Sequence, residues 1–381
     1  LGGTSSVNGM MYSRGNRADY DGWARLGLAG WGYDDVLPYF RRAESNWRGD
    51  GAFHGAAGPL RVSANPKDPV IYPAMIETAR RLGYDHLDDF HGPRQEGFGM
   101  PDFTVRAGQR ESSATAYCEE ATRRPNVIVK SGSQATRILF CGSRAKGVEY
   151  VAEGSLQKAT SREVILCGGA FNSPQLLQLS GVGPAGTLQG LGIPVVQDLP
   201  GVGEGLQDHF YVRTVWKCAR PITINDALRT PLGKLRSGLR YVLSRRGPLT
   251  VSAGYAGAFV RTRPDVPRPD IQLYFINFST DRMGTGLHPF PGFTVSMSPL
   301  RPEARGYVRL QTADPMQPPV IRYHYLGTEG DRRTVVDGFN SYRGLPRWRD
   351  LALAAGSTAW VRLLDPPADW EERMQARERE G

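Results

Sequence analysis

The 381-residue sequence is poor in several things, and each scarcity closes off a class of protein. Its four cysteines, Cys118, Cys141, Cys167 and Cys218, lie far apart with no CxxC pair and no histidine at ligand spacing. This argues against a structural zinc site and fits reduced thiols, as expected of a cytoplasmic protein or one peripheral to an inner membrane. No apolar run reaches the ~18 residues of a membrane-spanning helix, and no signal-peptide pattern opens the chain. Lysine supplies only 6 of the 47 basic residues, and the arginines carrying the net charge of +9 are scattered singly or in pairs. With no aromatic-interleaved basic stripe, that charge does not point to nucleic acid. The sequence has no GxSxG nucleophile elbow and no initiator methionine, which leaves room for a leader or upstream segment.

What is present fits a globular chain of about two domains: 40% hydrophobic and 22% charged residues, with 46 glycines and 28 prolines for turns and long connections. In "YDDVLPYFRRAESN", Val36, Leu37, Tyr39 and Phe40 are predicted to share a helical face. "LRVS", Leu60 to Ser63, reads as a strand. "IYPAMIETARRLGY" reads as a helix burying Ile71, Met75, Ile76 and Ala79, with Gly83 as its stop. "NVIVK", "ATRILF" and "KGVEYV" follow at hairpin spacing and predict a three-stranded antiparallel meander. In "REVILCGGAFNSPQLLQLSG", Val164 to Leu166 predict a short buried strand, and Asn172 or Ser173 a helix cap with Pro174 in the first turn. "DIQLYFINF", "GFTVSMSPL" and "GYVRLQT" predict a second, mixed or antiparallel sheet, and "PADWEERMQARERE" a polar tail.

Five motifs invite chemistry. In "LGGTSSVNGMMYSRG", Gly2 to Ser6 offer free backbone N–H groups and hydroxyls with little bulk, and the Asn8 amide can donate and accept, so this loop can approach phosphate or a polar ring edge; a tight turn is the plainer alternative. Gly181, Gly183 and Gly186 spell GxGxxG, but the motif leaves a helix instead of a strand and contains Pro184, so it is read as a helix C-cap and loop. "HLDDFH" offers His86, Asp88, Asp89 and His91; with no third ligand group nearby in sequence, a solvated loop is favoured and no metal is assigned. Ser155 and Lys158 match SxxK by coincidence, lacking the companion motifs. His209, beside Asp208, is read as a structural anchor over a general base.

Two long stretches resemble the signatures of the glucose-methanol-choline (GMC) oxidoreductases: "LGGTSSVNGMMYSRGNRADYD" and "GAFNSPQLLQLSGVG", Gly169 to Gly183. "DDFHGPRQEGFG", "GQRESSATAY", "RPNVIV", "RAKGVEYV" and "LGIPVVQDLPGVGEGLQDHF" resemble further family blocks in family order, so the resemblance covers roughly residues 1 to 335, nearest the choline-dehydrogenase-like branch. It implies an α/β fold: an FAD-binding Rossmann-like three-layer domain, incomplete here, interleaved with a substrate domain built on an antiparallel sheet with helices. The implied boundaries are 1–59 for FAD domain and lid, 60–120 for substrate domain, 121–208 for FAD domain, 209–338 for substrate domain and 339–381 for a divergent tail. Thr4, Asn8, Gly9, Met10 and Met11 would line the FAD pyrophosphate and ring, and Ala135 would hold the adenine through its backbone. Val7 stands where some choline oxidases carry a histidine bonded to FAD, which implies a non-covalent flavin. Gly205 replaces the usual Asn of an "NLQDH" block.

The implied activity is oxidation of a small alcohol to an aldehyde or ketone by hydride transfer to flavin N5, with oxygen or a quinone as electron acceptor. The ADP-binding GxGxxG unit of the family would precede Leu1, and its catalytic histidine is expected beyond the chain end, so no catalytic residue is assigned. The alternative is a truncated, non-catalytic remnant that does not hold FAD stably. The family resemblance is expected to fade from about Asn340.

Overall fold

A computed structural model describes residues 1–65, 71–81, 83–250, 254, 256–281, 284 and 286–343. The chain divides into two compact units, one of residues 1–123, 211–300 and 336–381, the other of 124–210 and 301–335. The predicted polar tail lies outside the described residues.

The first unit is organised by a six-stranded sheet in the order Val212–Lys217, Gly292–Pro299, Ile271–Ile276, Ala256–Val260, Gly97–Gly99, His86–Leu87. All neighbours are antiparallel except the last pair, so the sheet is mixed. Its centre runs from Ile271 opposite Pro299 to Ile276 opposite Thr294. Leu273, Phe275, Val295, Met297 and Ala258 there are almost wholly buried. Buried on both faces, these strands lack a strict polar alternation, and where hydroxyls intrude they are bonded, as Thr294 Oγ1 is to Phe278 O at 2.8 Å.

The helix Ile71–Arg81 forms as predicted, burying Ile71, Met75, Ile76 and Ala79, and Gly83 follows at φ 81°. The helix Tyr33–Ala43 also forms, but Tyr39 is 61% exposed while Tyr33 is buried and Val36, Leu37 and Phe40 half-buried. Positions 33, 36, 37 and 40 fall on one face at 3.6 residues per turn, and 39 points away. Asn16 caps the helix Arg17–Arg25: its side chain accepts from Ala18 N, and Asp19 accepts from Asn16 N. Leu60–Val62 pairs with Glu44–Asn46, and Ser63 bridges to Phe103.

The second unit contains the meander, one hairpin later than predicted. Its strands are Ser133–Cys141, Arg144–Ala152 and Ser155–Thr160. "NVIVK" has no ladder partner among the described residues, with Ile128 82% exposed, and the third strand is "SLQKAT", which joins Arg144–Ala152 through a tight turn in which Ser155 Oγ donates to Ala152 O. The predicted strand at Val164 to Leu166 does not form: it has no ladder partner among the described residues, and Ile165 is 78% exposed. The next helix, Gly169–Leu179, starts ahead of Asn172 and Ser173 and contains Pro174 within it; Gly169 at φ 77° lets the chain turn in earlier. "GYVRLQT" supplies Gly306–Arg309 to a separate sheet between Glu204–Leu206 and Val320–Arg322, and so does not join the large sheet.

Residues of the second signature stitch this unit together. Gln178, 1% exposed, donates from Nε2 to Val308 O at 2.9 Å and accepts from Leu310 N at 3.1 Å. Ser180 Oγ accepts from Ile138 N at 2.8 Å. Leu179 packs with Leu188, Ile193 and Leu310. The C-terminal end of this helix thereby contacts the meander and the sheet that holds Gly306–Arg309.

Candidate functional site

The N-terminal loop turns on two glycines in the left-handed region, Gly2 at φ 91° and Gly3 at φ 54°, where an L side chain costs roughly 1–2 kcal/mol. Gly3 to Ser6 make a single 3-10 turn, and Val7 N and Asn8 N both donate to Thr4 O, at 3.1 and 2.8 Å. One side of the loop is pinned. Ser113 N donates to Ser5 Oγ at 2.9 Å and Ser113 Oγ to Gly2 O at 3.0 Å. Arg110 Nη1 donates to Ser5 O at 3.0 Å and to Asn8 Oδ1 at 2.9 Å, and Met10 N donates to the same Asn8 oxygen at 2.9 Å. Met10 itself sits at φ 60°, a strained conformation for this residue type.

The other side faces solvent. Gly3, Thr4, Val7, Asn8 and Gly9 are exposed, and a Cβ placed on Gly3 would meet nothing within 4 Å. Met10 and Met11 are half-buried, and Met11 opens a two-residue strand against Phe103. A backbone held rigid from one side and lined by small residues on the other suits close approach of a flat ring or a phosphate. These residues therefore fit a flavin dinucleotide in shape and donor chemistry.

Ala135, in the second unit, pairs with Tyr150 beside a bulge that leaves Thr136 as the extra residue. Bulges re-aim the backbone, and Gln134 Nε2 reaches Ala135 O at 3.4 Å.

A buried polar network in the first unit was not expected from the sequence. Arg14 Nη2 donates to Glu44 Oε1 at 2.8 Å and its Nη1 to Phe53 O at 2.8 Å. The same Glu44 oxygen accepts from Gly55 N at 3.1 Å and lies 3.0 Å from His54 Nδ1; His54 Nε2 lies 2.9 Å from Asp89 Oδ2. His91 N donates to Asp89 Oδ1 at 2.8 Å. Burial works against charge on all of these groups, yet the hydrogen bonds prevail for three. Asp89 and Glu44 raise His54 to about 9, His54 and Arg14 lower Glu44 to about 2, and His54 and the His91 amide lower Asp89 to about 2. For His91, burial and then the Arg14 charge push the imidazole well below its ordinary range. A cavity of about 380 Å³ is lined by Arg14, Asn16, Arg17, Asp21, His91 and Gln95, among others.

"HLDDFH" is thus not a solvated loop throughout. Asp88 is exposed and His86 bonds to the Tyr72 hydroxyl at 2.9 Å, but His91 is buried, and the ligand atoms of His54, Asp89 and His91 lie within 4.8 Å of one another. His54, 35 positions before Asp89, is the third group that local spacing did not reveal. Of the remaining candidates, the GxGxxG glycines and the SxxK pair match their plainer readings. Gly181 ends a helix at φ 84°, Ser155 lies in a hairpin strand, and Asp208 is engaged by the Tyr325 hydroxyl next to His209.

Residues 1–211 match the N-terminal sequence model of the GMC oxidoreductases, and residues 302–375 match the C-terminal one. The chain belongs to the GMC oxidoreductase family. The C-terminal match runs past Asn340, through the stretch expected to diverge. Human mitochondrial choline dehydrogenase is 43% identical over 331 residues, which is 87% of this chain and 56% of that protein. The oxygen-dependent choline dehydrogenase of Paraburkholderia phymatum is 40% identical over 94% of this chain and 64% of its own length. The chain therefore spans less than two thirds of these relatives. Pyridoxine 4-oxidase from Mesorbium loti superposes with a TM-score of 0.81 at 25% identity, covering 96% of this GMC chain and 67% of that one. Formate oxidase of Aspergillus oryzae, described in terms of its FAD modification, superposes at 0.85 and 23% identity, covering 99% and 71%. The expected α/β, Rossmann-like FAD-binding fold class is the one these GMC neighbours share. Among the described residues, no helix is long and apolar enough to cross a membrane.

Proposed function

We propose that this chain is the part of an FAD-dependent alcohol-oxidising enzyme that holds the flavin, with a small alcohol such as choline as substrate and oxygen or a quinone as electron acceptor. The observation that carries it is the N-terminal loop, pinned by Arg110 and Ser113 and exposed at Gly3, Thr4, Val7 and Asn8, inside the family match. FAD, when bound, supplies the acceptor for the hydride that leaves the carbinol carbon. The chain's own contribution is to bind and orient. Thr4, Asn8 and Gly9 offer hydroxyl, amide and backbone groups toward pyrophosphate and ring edge, Met10 and Met11 an apolar flank, and Ala135 its backbone toward the adenine. Val7, 80% exposed, has no nucleophilic atom, so the flavin is held non-covalently. No general base is assigned among the described residues.

A second reading, that the 381 residues alone do not retain FAD, is favoured by one observation. Ile128 and Ile165, 82% and 78% exposed, sit in segments with no ladder partner among the described residues, where the sequence pattern calls for buried strands. One experiment separates the two. The purified chain is mixed with FAD, passed through gel filtration, and its visible spectrum recorded. Flavin co-eluting near one per chain and bleached anaerobically by choline supports the enzyme. Flavin found only in the small-molecule fraction rejects flavin binding by this chain and leaves the second reading.

A further inference from the structure

We propose that His54, Asp89 and His91 form a binding site for one Zn²⁺-class divalent metal ion, with Glu44 as the outer carboxylate that orients His54. The donor set is two imidazole nitrogens and one carboxylate oxygen, all within 4.8 Å of one another. That composition suits Zn²⁺ and its neighbours, whereas Ca²⁺ and Mg²⁺ demand six or more oxygens.

An independent observation points to a ligand at this spot. His91 is 5% exposed, and neither of its ring nitrogens has a hydrogen-bond partner. A buried imidazole left unpaired is costly, and such groups in native proteins call for an explanation. Both nitrogens are buried from solvent, and an ion seated among the three side chains gives His91 the partner it lacks.

The surroundings match a metal centre in a second respect. His54 Nδ1 faces Glu44 Oε1 at 3.0 Å, which leaves Nε2 directed at Asp89 Oδ2, 2.9 Å away. A carboxylate behind a ligating histidine fixes its tautomer and raises its basicity. When the ion binds, the Nε2 proton now shared with Asp89 leaves to solvent, and the nitrogen lone pair and the Asp89 oxygen both turn to the metal. Glu44, Asp89 and Asp102 set three negative charges against Arg14, Arg48 and the protonated His54, and loss of the His54 proton on binding leaves one net negative charge to meet the cation. Ligands on bonds of ~2.0–2.1 Å around a tetrahedral ion stand roughly 3.4 Å apart. The required contraction falls on His91, whose ring no hydrogen bond restrains.

The test uses the whole chain without flavin, so it is independent of the flavin proposal. The protein is dialysed against chelator, Co²⁺ is titrated in as a spectroscopic probe, and Zn²⁺ is added to displace it. Expected are visible ligand-field bands saturating at about one Co²⁺ per chain, abolished by Zn²⁺. His91→Asn, at a side chain with no bond to lose, should keep the far-ultraviolet circular dichroism of the parent and weaken binding more than ~10-fold, whereas His86→Gln should leave it unchanged. Folded parent that binds no Co²⁺, or folded His91→Asn that binds it as the parent does, overturns the proposal.

Discussion

Arg14 and Glu44, 30 residues apart, form an ion pair at 2.8 Å with their side chains 3% and 0% exposed. The pair anchors the chain just after the N-terminal loop to the end of the helix Tyr33–Ala43, and Glu44 also collects His54 and Gly55 N. Removing one member of such a pair strands the other without water. Glu44→Gln leaves two buried cations facing each other and is expected to cost about 3–5 kcal/mol. Arg14→Met should cost less, since Glu44 keeps His54. Urea unfolding of both variants checks this, and a Glu44→Gln chain within ~1 kcal/mol of the parent would show that the pair contributes little.

Gly205 replaces the asparagine expected from the resemblance, and its backbone conformation suits either residue. It lies at φ 73°, exposed, with nothing within 4 Å of a built Cβ. Asparagine tolerates this left-handed region and a β-branched residue does not. Gly205→Asn should therefore unfold within ~0.5 kcal/mol of the parent, and Gly205→Val should lose about 1–2 kcal/mol. Equal losses in the two variants would mean that the loop, not the backbone angle, selects the residue.

Where local pattern and burial coincide, as in the helix Ile71–Arg81 and the strands Ile271–Ile276 and Gly292–Pro299, the fold is legible from the sequence. Periodicity failed at "NVIVK" and Val164 to Leu166, where apolar composition demands a strand but no ladder partner stands beside either segment among the described residues. A strand is a pairwise object, and its sequence cannot state who the neighbour is. The same limit hid His54. The residues flanking Asp89 and His91 carry no trace of it, because the glutamate that holds its other ring nitrogen comes from still another segment. A signal did exist in the run "FHGAAGPL": a Cβ on Gly55 would fall 1.9 Å from Arg41 O, so the glycine after His54 marks a close approach of two backbones. The N-terminal loop was legible through its glycines, but not the arginine beneath it.

Cys218 is predicted to be the slow thiol. Burial, and then the Asp226 carboxylate, push it up to about 12, whereas Cys141 and Cys167 are exposed. At pH 8 on the order of one Cys218 in ten thousand is thiolate, so it should react with a thiol-specific disulfide reagent at least ~100-fold more slowly than the exposed pair. Folding favours the neutral thiol, so this contribution is complete below the ordinary thiol value of ~8.5 and is lost as pH rises toward 12. Cys218→Ala should flatten that alkaline decline in stability; an unchanged slope would assign the decline elsewhere.

Arg110 offers the sharpest test of the loop's role in holding flavin. Its Nη1 donates to Ser5 O at 3.0 Å and to Asn8 Oδ1 at 2.9 Å, while Asn8 Oδ1 also receives Met10 N, so one guanidinium fixes the turn that presents Thr4, Asn8 and Gly9. Hydrogen bonds from a charged group contribute about 1.5–3 kcal/mol each when kept from water, and less at a partly exposed loop. Arg110→Met should then leave global unfolding near that of the parent, because the loop is peripheral to the buried sheet, yet weaken FAD retention by ~5- to 30-fold, the equivalent of ~1–2 kcal/mol. Arg110→Lys, which keeps the charge but not the forked geometry, should fall between the two. If FAD retention in the methionine variant equals that of the parent, the loop's order does not depend on Arg110, and the flavin must be held by residues other than those it pins.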